Sequence, residues 1–507
     1  MTGIAGQSRE PGDNDARWPR IVLGLALIML AAVAIYVDFH RDLWLDEAYT
    51  LDTIRRPLGD TFRQSVRFEL QPPLYFILLN LWIRISPTIE WARLFSTLAL
   101  ALTLWVLYRL AKLLELARSS FSLPLVAALS PMLLWAASEA RCYALAALLT
   151  TVTTYFFVGI WVAGTARSRR DLVLYVACAY LSLMTFYYAA FLLAAQLLAG
   201  LLLAERRRAL LLCFLALGVL LLPWAPTLLA QTTADSNFQQ PAVVSSAAWL
   251  VGWVLSALRE CVFAGAPVVL RGGATPALGV LLAAVIGLRI GRGRTRWSKA
   301  EMVFGVLWAV PFAVLAGARL THALLVDSRH YIVVTTSLVV FIGLLVARMR
   351  SPVARPILGL LLTAVLALSA VSYLRNADGQ EAWKPAVAYV TARAGPTEPI
   401  LFAEADAVLP FRYYYHGSAP LLGLPRDHVL DSYALADMRI RDDGQLRRRF
   451  AADVGPSRTF WLVERSRPDA LGGAILDRFI RDEMVVLDMR DFPGVRVLHG
   501  RTPAALR

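Results

Sequence analysis

The sequence is poor in charge and in cysteine, and each shortage excludes a class of protein. Only 17% of the 507 residues are charged while 58% are hydrophobic, which excludes an ordinary soluble protein of this length. The four cysteines all lie in or beside apolar segments, which excludes a disulfide framework. No small-residue cleavage site follows the first apolar run, so we interpret that run as a retained membrane helix rather than a signal peptide.

Long apolar runs dominate the first three quarters of the chain. Runs of roughly 18 or more apolar residues indicate a polytopic α-helical membrane protein. We expect about eleven membrane helices, at residues 21–37, 91–110, 122–137, 143–162, 172–186, 189–203, 210–229, 266–288, 302–320, 331–347 and 357–373.

The net charge of +14 does not indicate nucleic-acid binding, because the arginines fall in short clusters between the apolar runs. The clusters are at residues 112–118, 166–170, 205–208, 289–299 and 348–355. If the chain has about eleven spans, all of these clusters fall on one side of the membrane. We expect that side to be the cytoplasm of a bacterium, together with a disordered tail at residues 1–20. The segment 38–90, the turn at Glu139, the loop 231–241 and the C-terminal part then lie outside the inner membrane.

The C-terminal part is charged and mixed in pattern, which predicts a soluble α/β domain at residues 375–507. Residues 383–390 have helical spacing, and four short apolar runs predict buried strands at residues 399–402, 459–463, 484–487 and 495–498. The predicted organisation is therefore a tail (1–20), a membrane domain (21–374) with a catalytic outer loop (38–90), and an extracytoplasmic domain (375–507).

Two adjacent carboxylates, Asp46 and Glu47, follow the first membrane helix, between apolar and aromatic residues. Carboxylates are costly to desolvate in such a place, which raises the question of function. The alternative is that they are solvated anchors at a helix end.

Other polar residues share the predicted outer face with this pair: Glu69, Gln71, Glu139, Arg141, Tyr143, Tyr187, Tyr188, His322, Asp327, Arg329, His330 and Tyr331. A carboxylate serves as a general base, or as a metal ligand when paired. An arginine at a membrane surface suits a phosphate group. Together they suggest chemistry on a lipid-linked phosphate substrate.

Several motifs resemble those of the GT-C membrane glycosyltransferases, in particular the branch containing protein O-mannosyltransferases and the lipid A aminoarabinose transferase. Residues 45–49 (Leu-Asp-Glu-Ala-Tyr) resemble the family's Asp-Glu motif. The others, in order, are Gln-Pro-Pro-Leu-Tyr-Phe at 71–76, Trp-Ala-Arg-Leu-Phe-Ser at 91–96, Ser-Glu-Ala-Arg-Cys-Tyr-Ala-Leu at 138–145 and, with an additional His, Asp-Ser-Arg-His-Tyr at 327–331.

The resemblance implies the GT-C fold and an inverting sugar transfer from a polyprenyl-phosphate donor to a glycan, lipid or protein acceptor. It implies that Asp46 is the general base. Arg141 and Arg329 are the candidates for neutralising the leaving phosphate. Glu47 and Glu69 are expected to orient the sugar or a water, and the remaining predicted substrate-binding residues are Gln71, Glu139, Tyr143 and Tyr331.

Alternative interpretations remain open. Arg141 could snorkel or pair with Glu139, Arg329 could pair with Asp327, and His330 could be an ordinary membrane-edge residue. No obligatory metal is expected, although Mg²⁺ or Mn²⁺ is conceivable because a related branch uses a divalent ion. The competing functions are a transporter or flippase of lipid-linked sugars and a polysaccharide ligase of the O-antigen type.

Overall fold

The computed structural model describes residues 13–116, 123–166, 168–232, 297–321, 326–349, 351–375, 381–427, 439–455, 458–465 and 472–504. The predicted helix at 266–288, most of the predicted loop at 231–241, and His322 lie outside the described residues. Contacts divide the chain into two compact units. The helical unit comprises Met1–Tyr36, Arg93–Trp224 and Gln239–Leu374, and the mixed unit comprises Val37–Ala92, Ala225–Phe238 and Arg375–Arg507.

Helices form most of the described chain, and strands occur only in its C-terminal part. In chain order, the helices are α1 (Asp13–His40), α2 (Leu45–Ile54), α3 (Leu58–Arg67), α4 (Leu74–Trp82), α5 (Ile89–Leu113), α6 (Leu123–Ala128), α7 (Pro131–Ala137), α8 (Tyr143–Phe157), α9 (Arg169–Thr185), α10 (Ala189–Leu203), α11 (Arg207–Leu221), α12 (Ala225–Thr232), α13 (Lys299–Thr321), α14 (Ile332–Ala347), α15 (Ala354–Arg375), α16 (Trp383–Thr391), α17 (Val408–Tyr414), α18 (Asp443–Asp453) and α19 (Gly473–Glu483). The strands are β1 (Ile400–Phe402), β2 (Leu421–Gly423), β3 (Thr459–Arg465), β4 (Val485–Phe492) and β5 (Val495–Arg501).

Among the described residues, seven helices are long and apolar enough to cross a membrane. A polytopic helical protein is thereby confirmed, whereas the predicted number of eleven spans is not. The helix predicted at 122–137 is divided into α6 and α7, because Ser130 is extended (φ −68°, ψ 118°) before Pro131. A residue that precedes proline is sterically driven out of the helical region, and this interrupts the helix.

The centre of the helical unit is α14, whose residues 332–346 are all buried. It contacts α6, α7, α8, α10 and α13. Interhelical hydrogen bonds between small polar side chains add to this packing, as is common where helices meet in a membrane. Thr151 donates to Thr336 (3.2 Å) between α8 and α14, and Gln196 donates to Thr154 (3.2 Å) between α10 and α8.

The two ends of α8 mark opposite ends of the helical unit. Its last residues continue as a π-helical turn, Val158–Val162, in which the Trp161 indole donates to the carbonyl oxygen of Arg206 (3.2 Å). That end therefore lies beside the basic start of α11. A continuous helix from Tyr143 to Val162 is about 30 Å long. The turn before Tyr143, which holds Glu139 and Arg141, is consequently at the opposite end of the unit from Arg206 and Arg207 at the start of α11.

In the mixed unit, the C-terminal region (residues 381–504) is an α/β domain built on a five-stranded sheet. The strand order is β2-β1-β3-β5-β4, with β1 parallel to β2 and β3, and β5 antiparallel to β3 and β4. Side chains alternate across the strands, so each face has its own core. Trp383, Phe411 and Trp461 are in one core, and Phe450 and Phe460 are in the other.

The predicted positions of the helix at 383–390 and of the four strands agree with α16, β1, β3, β4 and β5. The prediction that residues 484–487 form a buried strand is right about the strand and wrong about its burial. Val485, Val486 and Leu487 are 53%, 45% and 42% exposed. The reason is that β4 is at the edge of the sheet and, among the described strands, pairs only with β5.

The segment 38–90 folds as three short helices, α2, α3 and α4. The Asn80 amide of α4 donates to the carbonyl oxygens of Ile54 (2.7 Å) and Arg56 (2.9 Å), which satisfies the C-terminal end of α2. The turn between α4 and α5 is closed by Trp82 and Trp91. Their rings stack with centroids 4.9 Å apart, and each indole donates to the other residue's carbonyl oxygen (2.8 and 3.1 Å).

Candidate active site

The first turn of α2 carries both Asp46 and Glu47. The helix begins after Trp44, which is extended (φ −99°, ψ 169°). The first backbone N–H groups of a helix lack intrahelical acceptors, and the helix dipole is positive at this end. The start of α2 is therefore a position that stabilises negative charge on two adjacent side chains.

The two carboxylates differ in exposure. Glu47 is 0% exposed, whereas Asp46 is half-buried. A pair of solvated anchors would leave both side chains in water, so the burial of Glu47 argues against that alternative. Of the two, Asp46 is the more accessible.

A third predicted carboxylate, Glu69, also meets α2. The Thr53 hydroxyl of α2 donates to Glu69 Oε1 (3.3 Å). Asp46 and Thr53 are seven residues apart, so they share one face of the helix about 10 Å apart along its axis. The structure thus brings Asp46, Glu47 and Glu69 to one short helix.

Backbone strain lies next to Glu69. Leu70 has a φ of +52°, in the left-handed region that non-glycine residues rarely occupy. Such a conformation costs about 1–2 kcal/mol. Two hydrogen bonds hold the turn, from Glu69 N–H to Gln64 O (3.1 Å) and from Gln71 N–H to Ser65 O (3.0 Å). The half-buried Gln71 is therefore fixed relative to α3, and strain of this kind concentrates at functional sites.

In the helical unit, the connection between α7 and α8 holds Glu139, Arg141 and Tyr143. All three are buried, at 0%, 5% and 2% exposure. A snorkelling arginine would extend its guanidinium group into water, so the burial of Arg141 argues against that alternative.

An aromatic cluster joins this turn to the segment that precedes α14. Tyr143 contacts Trp135 and Phe186, with ring centroids 4.9 and 5.8 Å apart. The ring centroid of His330 lies 5.8 Å from that of Phe186 and 4.2 Å from that of Tyr188. The Glu139 turn and the Arg329 segment are therefore at the same end of the helical unit. Trp135 and Phe186 were not among the residues predicted from the sequence, since apolar aromatics are common throughout the chain.

Arg329 belongs to a short 3₁₀ turn, Ser328–Tyr331. Its Nε atom lies 3.6 Å from Asp327 Oδ2, and its side chain is 27% exposed. The alternative pairing with Asp327 is thus present, at a distance longer than a hydrogen bond. His330 accepts from the Asp327 N–H (2.7 Å) and is an integral part of this turn. Tyr331 is buried at 0% exposure with its ring 5.8 Å from that of Phe312.

Within the described ranges, no group of three or more His, Cys, Asp or Glu residues is arranged to hold a metal ion. The expectation that no metal is obligatory remains a prediction.

Comparison with known proteins gave matches to solved structures only. No protein-family model and no curated protein sequence matches the chain. The crystal structure of ArnT from Cupriavidus metallidurans in the apo state matches with a TM-score of 0.59 and 15% identity, over 97% of this chain and 99% of that one. The crystal structure of the same protein bound to undecaprenyl phosphate matches with a TM-score of 0.55 and 15% identity, over 95% and 98%.

Proposed function

We propose that this chain, which has the GT-C fold of membrane glycosyltransferases, transfers a sugar from a polyprenyl-phosphate donor to an acceptor hydroxyl. The observation that carries the proposal is the carboxylate pair at the start of α2, with Glu47 buried and Asp46 half-buried. The fold supports the reaction class. The undecaprenyl phosphate bound in the ArnT structure supports the class of donor.

Asp46 is the general base. It accepts the proton of the acceptor hydroxyl while that oxygen forms a bond to the anomeric carbon of the donor sugar. The bond between that carbon and the phosphate oxygen breaks, and the bonding pair leaves with the polyprenyl phosphate. Attack from the face opposite the phosphate inverts the anomeric carbon.

Glu69 and Gln71 orient the sugar or the acceptor, and Glu47, which is completely buried, supports them from within the protein. Glu69 is held by Thr53, and Gln71 is held by the strained turn at Leu70. Fixed polar side chains favour one geometry of the bound substrate, which is a principal source of enzymatic rate enhancement. The buried Glu47 acts from inside the unit, on a neighbouring side chain rather than on bulk water.

A lipid phosphate is already a good leaving group, so it requires neutralisation of charge more than protonation. Arg141 and Arg329 are the proposed groups, with Arg329 the more accessible of the two. Glu139, Tyr143 and Tyr331 are proposed to shape the surroundings of these arginines.

The reaction is proposed to take place at the outer face of a bacterial inner membrane. The opposite end of the helical unit, which carries Arg206 and Arg207 at the start of α11, would then face the cytoplasm, as charge bias predicts. The acceptor belongs to the glycan, lipid or protein of the cell envelope, and the sugar is a hexose or pentose.

The test is the Asp46→Asn variant of the full chain, purified in detergent and supplied with a radiolabelled polyprenyl-phosphate sugar and envelope extract. We expect sugar transfer and release of polyprenyl phosphate to fall by at least about a thousandfold, the upper part of the usual range for loss of a general base. Donor binding should not change.

The matched control is Asp52→Asn on the same helix. Asp52 forms a surface ion pair with Arg56 (2.7 Å), and such pairs contribute little to stability. Near-normal transfer by Asp46→Asn would refute its assignment as the base. After reconstitution of the wild type into lipid vesicles, movement of intact donor between leaflets with no release of polyprenyl phosphate would indicate a flippase instead.

A further inference from the structure

The residues just before α2 are fixed by the C-terminal region. The Leu43 N–H donates to the Tyr414 hydroxyl (2.8 Å). Asp42 accepts from the Lys384 N–H (2.8 Å) and lies 3.2 Å from the Lys384 ammonium group. Both contacts are within four residues of Asp46, so the start of the carboxylate-bearing helix is attached at two points.

A third contact is on α2 itself. The Tyr49 hydroxyl donates to Asp406 Oδ2 (2.7 Å), and the two residues are only 8% and 6% exposed. Tyr49 follows Asp46 by three residues, so the two side chains lie on neighbouring parts of the same helix face. The Tyr49 ring also packs against Phe68 (centroids 5.1 Å apart), in a small apolar cluster that Leu409 of α17 completes.

A buried arginine acts on Asp406 through its charge. Arg465 of β3 is nearly buried, donates to Glu381 (2.8 Å) and Glu404 (2.8 Å), and attracts Asp406 electrostatically. Asp406 Oδ1 has no hydrogen-bond partner in the described part of the chain, so Tyr49 supplies the side-chain hydrogen bond that the carboxylate has there. Separating this buried carboxylate from the Tyr49 hydroxyl is costly, because the carboxylate would lose the hydrogen bond that offsets its desolvation.

We infer that Asp406 and Tyr49 are positioning residues for the reaction, and that the C-terminal region sets the orientation of the helix that presents Asp46. This inference rests on the proposed function. It assigns the C-terminal region a direct role in the rate of transfer: Asp406 holds Tyr49, and Tyr49 fixes the turn of α2 from which Asp46 projects.

The experiment compares Tyr49→Phe, Asp406→Ala, Asp406→Asn and the double variant Tyr49→Phe with Asp406→Ala in the full chain. We expect kcat to fall about tenfold in Tyr49→Phe and in Asp406→Ala, with KM for the donor unchanged, as for loss of a buried hydrogen bond to a charged group. Asp406→Asn should recover part of the loss, because its amide oxygen still accepts the hydroxyl. The double variant should lose no more than the worse single variant, because both remove the same interaction.

The matched control is Tyr389→Phe. Tyr389 also donates its hydroxyl to a carboxylate, that of Asp488, but the bond is exposed and lies within the C-terminal region. This variant should retain wild-type kcat. Hydrogen–deuterium exchange of residues 43–54 should rise in Asp406→Ala and not in Tyr389→Phe, which reports on the attachment of α2 independently of turnover.

If the wild type is active and Asp46→Asn is inactive, unchanged kcat in Tyr49→Phe and Asp406→Ala overturns the inference and leaves the proposed function intact. Additive losses in the double variant also overturn it. A wild type that releases no polyprenyl phosphate overturns the proposed function, and the positioning role fails with it.

Discussion

Glu464 on β3 offers a quantitative test of how a buried carboxylate affects the stability of the C-terminal region at different pH. Burial raises its pKa to about 7, and the negative charges of Asp477 and Asp491 act in the same direction. Arg496, whose Nη1 lies 3.7 Å from Glu464 Oε2, opposes them and only partly compensates. The side chain is 16% exposed, so screening by solvent is limited.

The consequence for stability follows from the direction of the shift. The folded state binds the Glu464 proton more tightly than the unfolded state, whose pKa is near the ordinary 4.5. The contribution of Glu464 to the free energy of unfolding is therefore fully present below pH 4.5 and is lost as the pH rises through 7. The difference of about 2.5 pKa units corresponds to about 3 kcal/mol.

We predict that Glu464→Gln removes this loss of unfolding free energy at high pH. At pH 8 the variant should be more stable than the wild type by about 3 kcal/mol, a rise in melting temperature of roughly 5–10 °C. The advantage should disappear near pH 4. The assay is thermal or urea unfolding of the full chain in detergent, with proteolysis of the C-terminal region as the readout, at several values of pH.

The control is Glu398→Gln, for which the sign is reversed. Burial raises the pKa of Glu398, but hydrogen bonds from Thr459, Gly395, His499 and Trp461 together lower it below its ordinary value. Glu398→Gln should thus destabilise the protein at neutral pH, and the difference should shrink in acid. An advantage of Glu464→Gln that is the same at every pH would refute the burial argument.

Two further predictions concern the reaction. Arg329→Ala should raise KM for the donor or lower kcat/KM by about ten- to a hundredfold, because it removes a charged contact to phosphate. Arg329→Lys should recover part of the loss, and unchanged kinetics with a polyprenyl-phosphate sugar would exclude the residue from the phosphate site. Treatment with a chelator should leave transfer unaffected; loss of activity that Mn²⁺ or Mg²⁺ restores would contradict a metal-independent mechanism.

The long helices could be predicted because each requires a continuous apolar run, which is a local property of the sequence. The interruption at Pro131 also had a local signal, the proline itself, but the apolar run around it concealed the break. The exposure of β4 had no such signal. Whether an apolar strand is central or at an edge depends on which strands pair beside it, and pairing is a long-range property.

The site was predictable in residue type but not in geometry. Asp46 and Glu47 stand out because acidic pairs are unusual beside apolar runs, yet their sequence does not indicate that only Glu47 is completely buried. The left-handed Leu70 could not be predicted, because leucine has no preference for that conformation. The contact between Tyr49 and Asp406 joins residues 357 positions apart, beyond the reach of any local pattern.

That separation has a consequence for how the protein is made. At a synthesis rate of roughly 5–20 residues per second, Tyr49 emerges from the ribosome about 20–70 s before Asp406. During this interval α2 lacks Asp406, and Leu409 does not yet cover the apolar contact between Tyr49 and Phe68. The helix that carries Asp46 and Glu47 therefore gains its contact with Asp406 only after most of the chain has been synthesised.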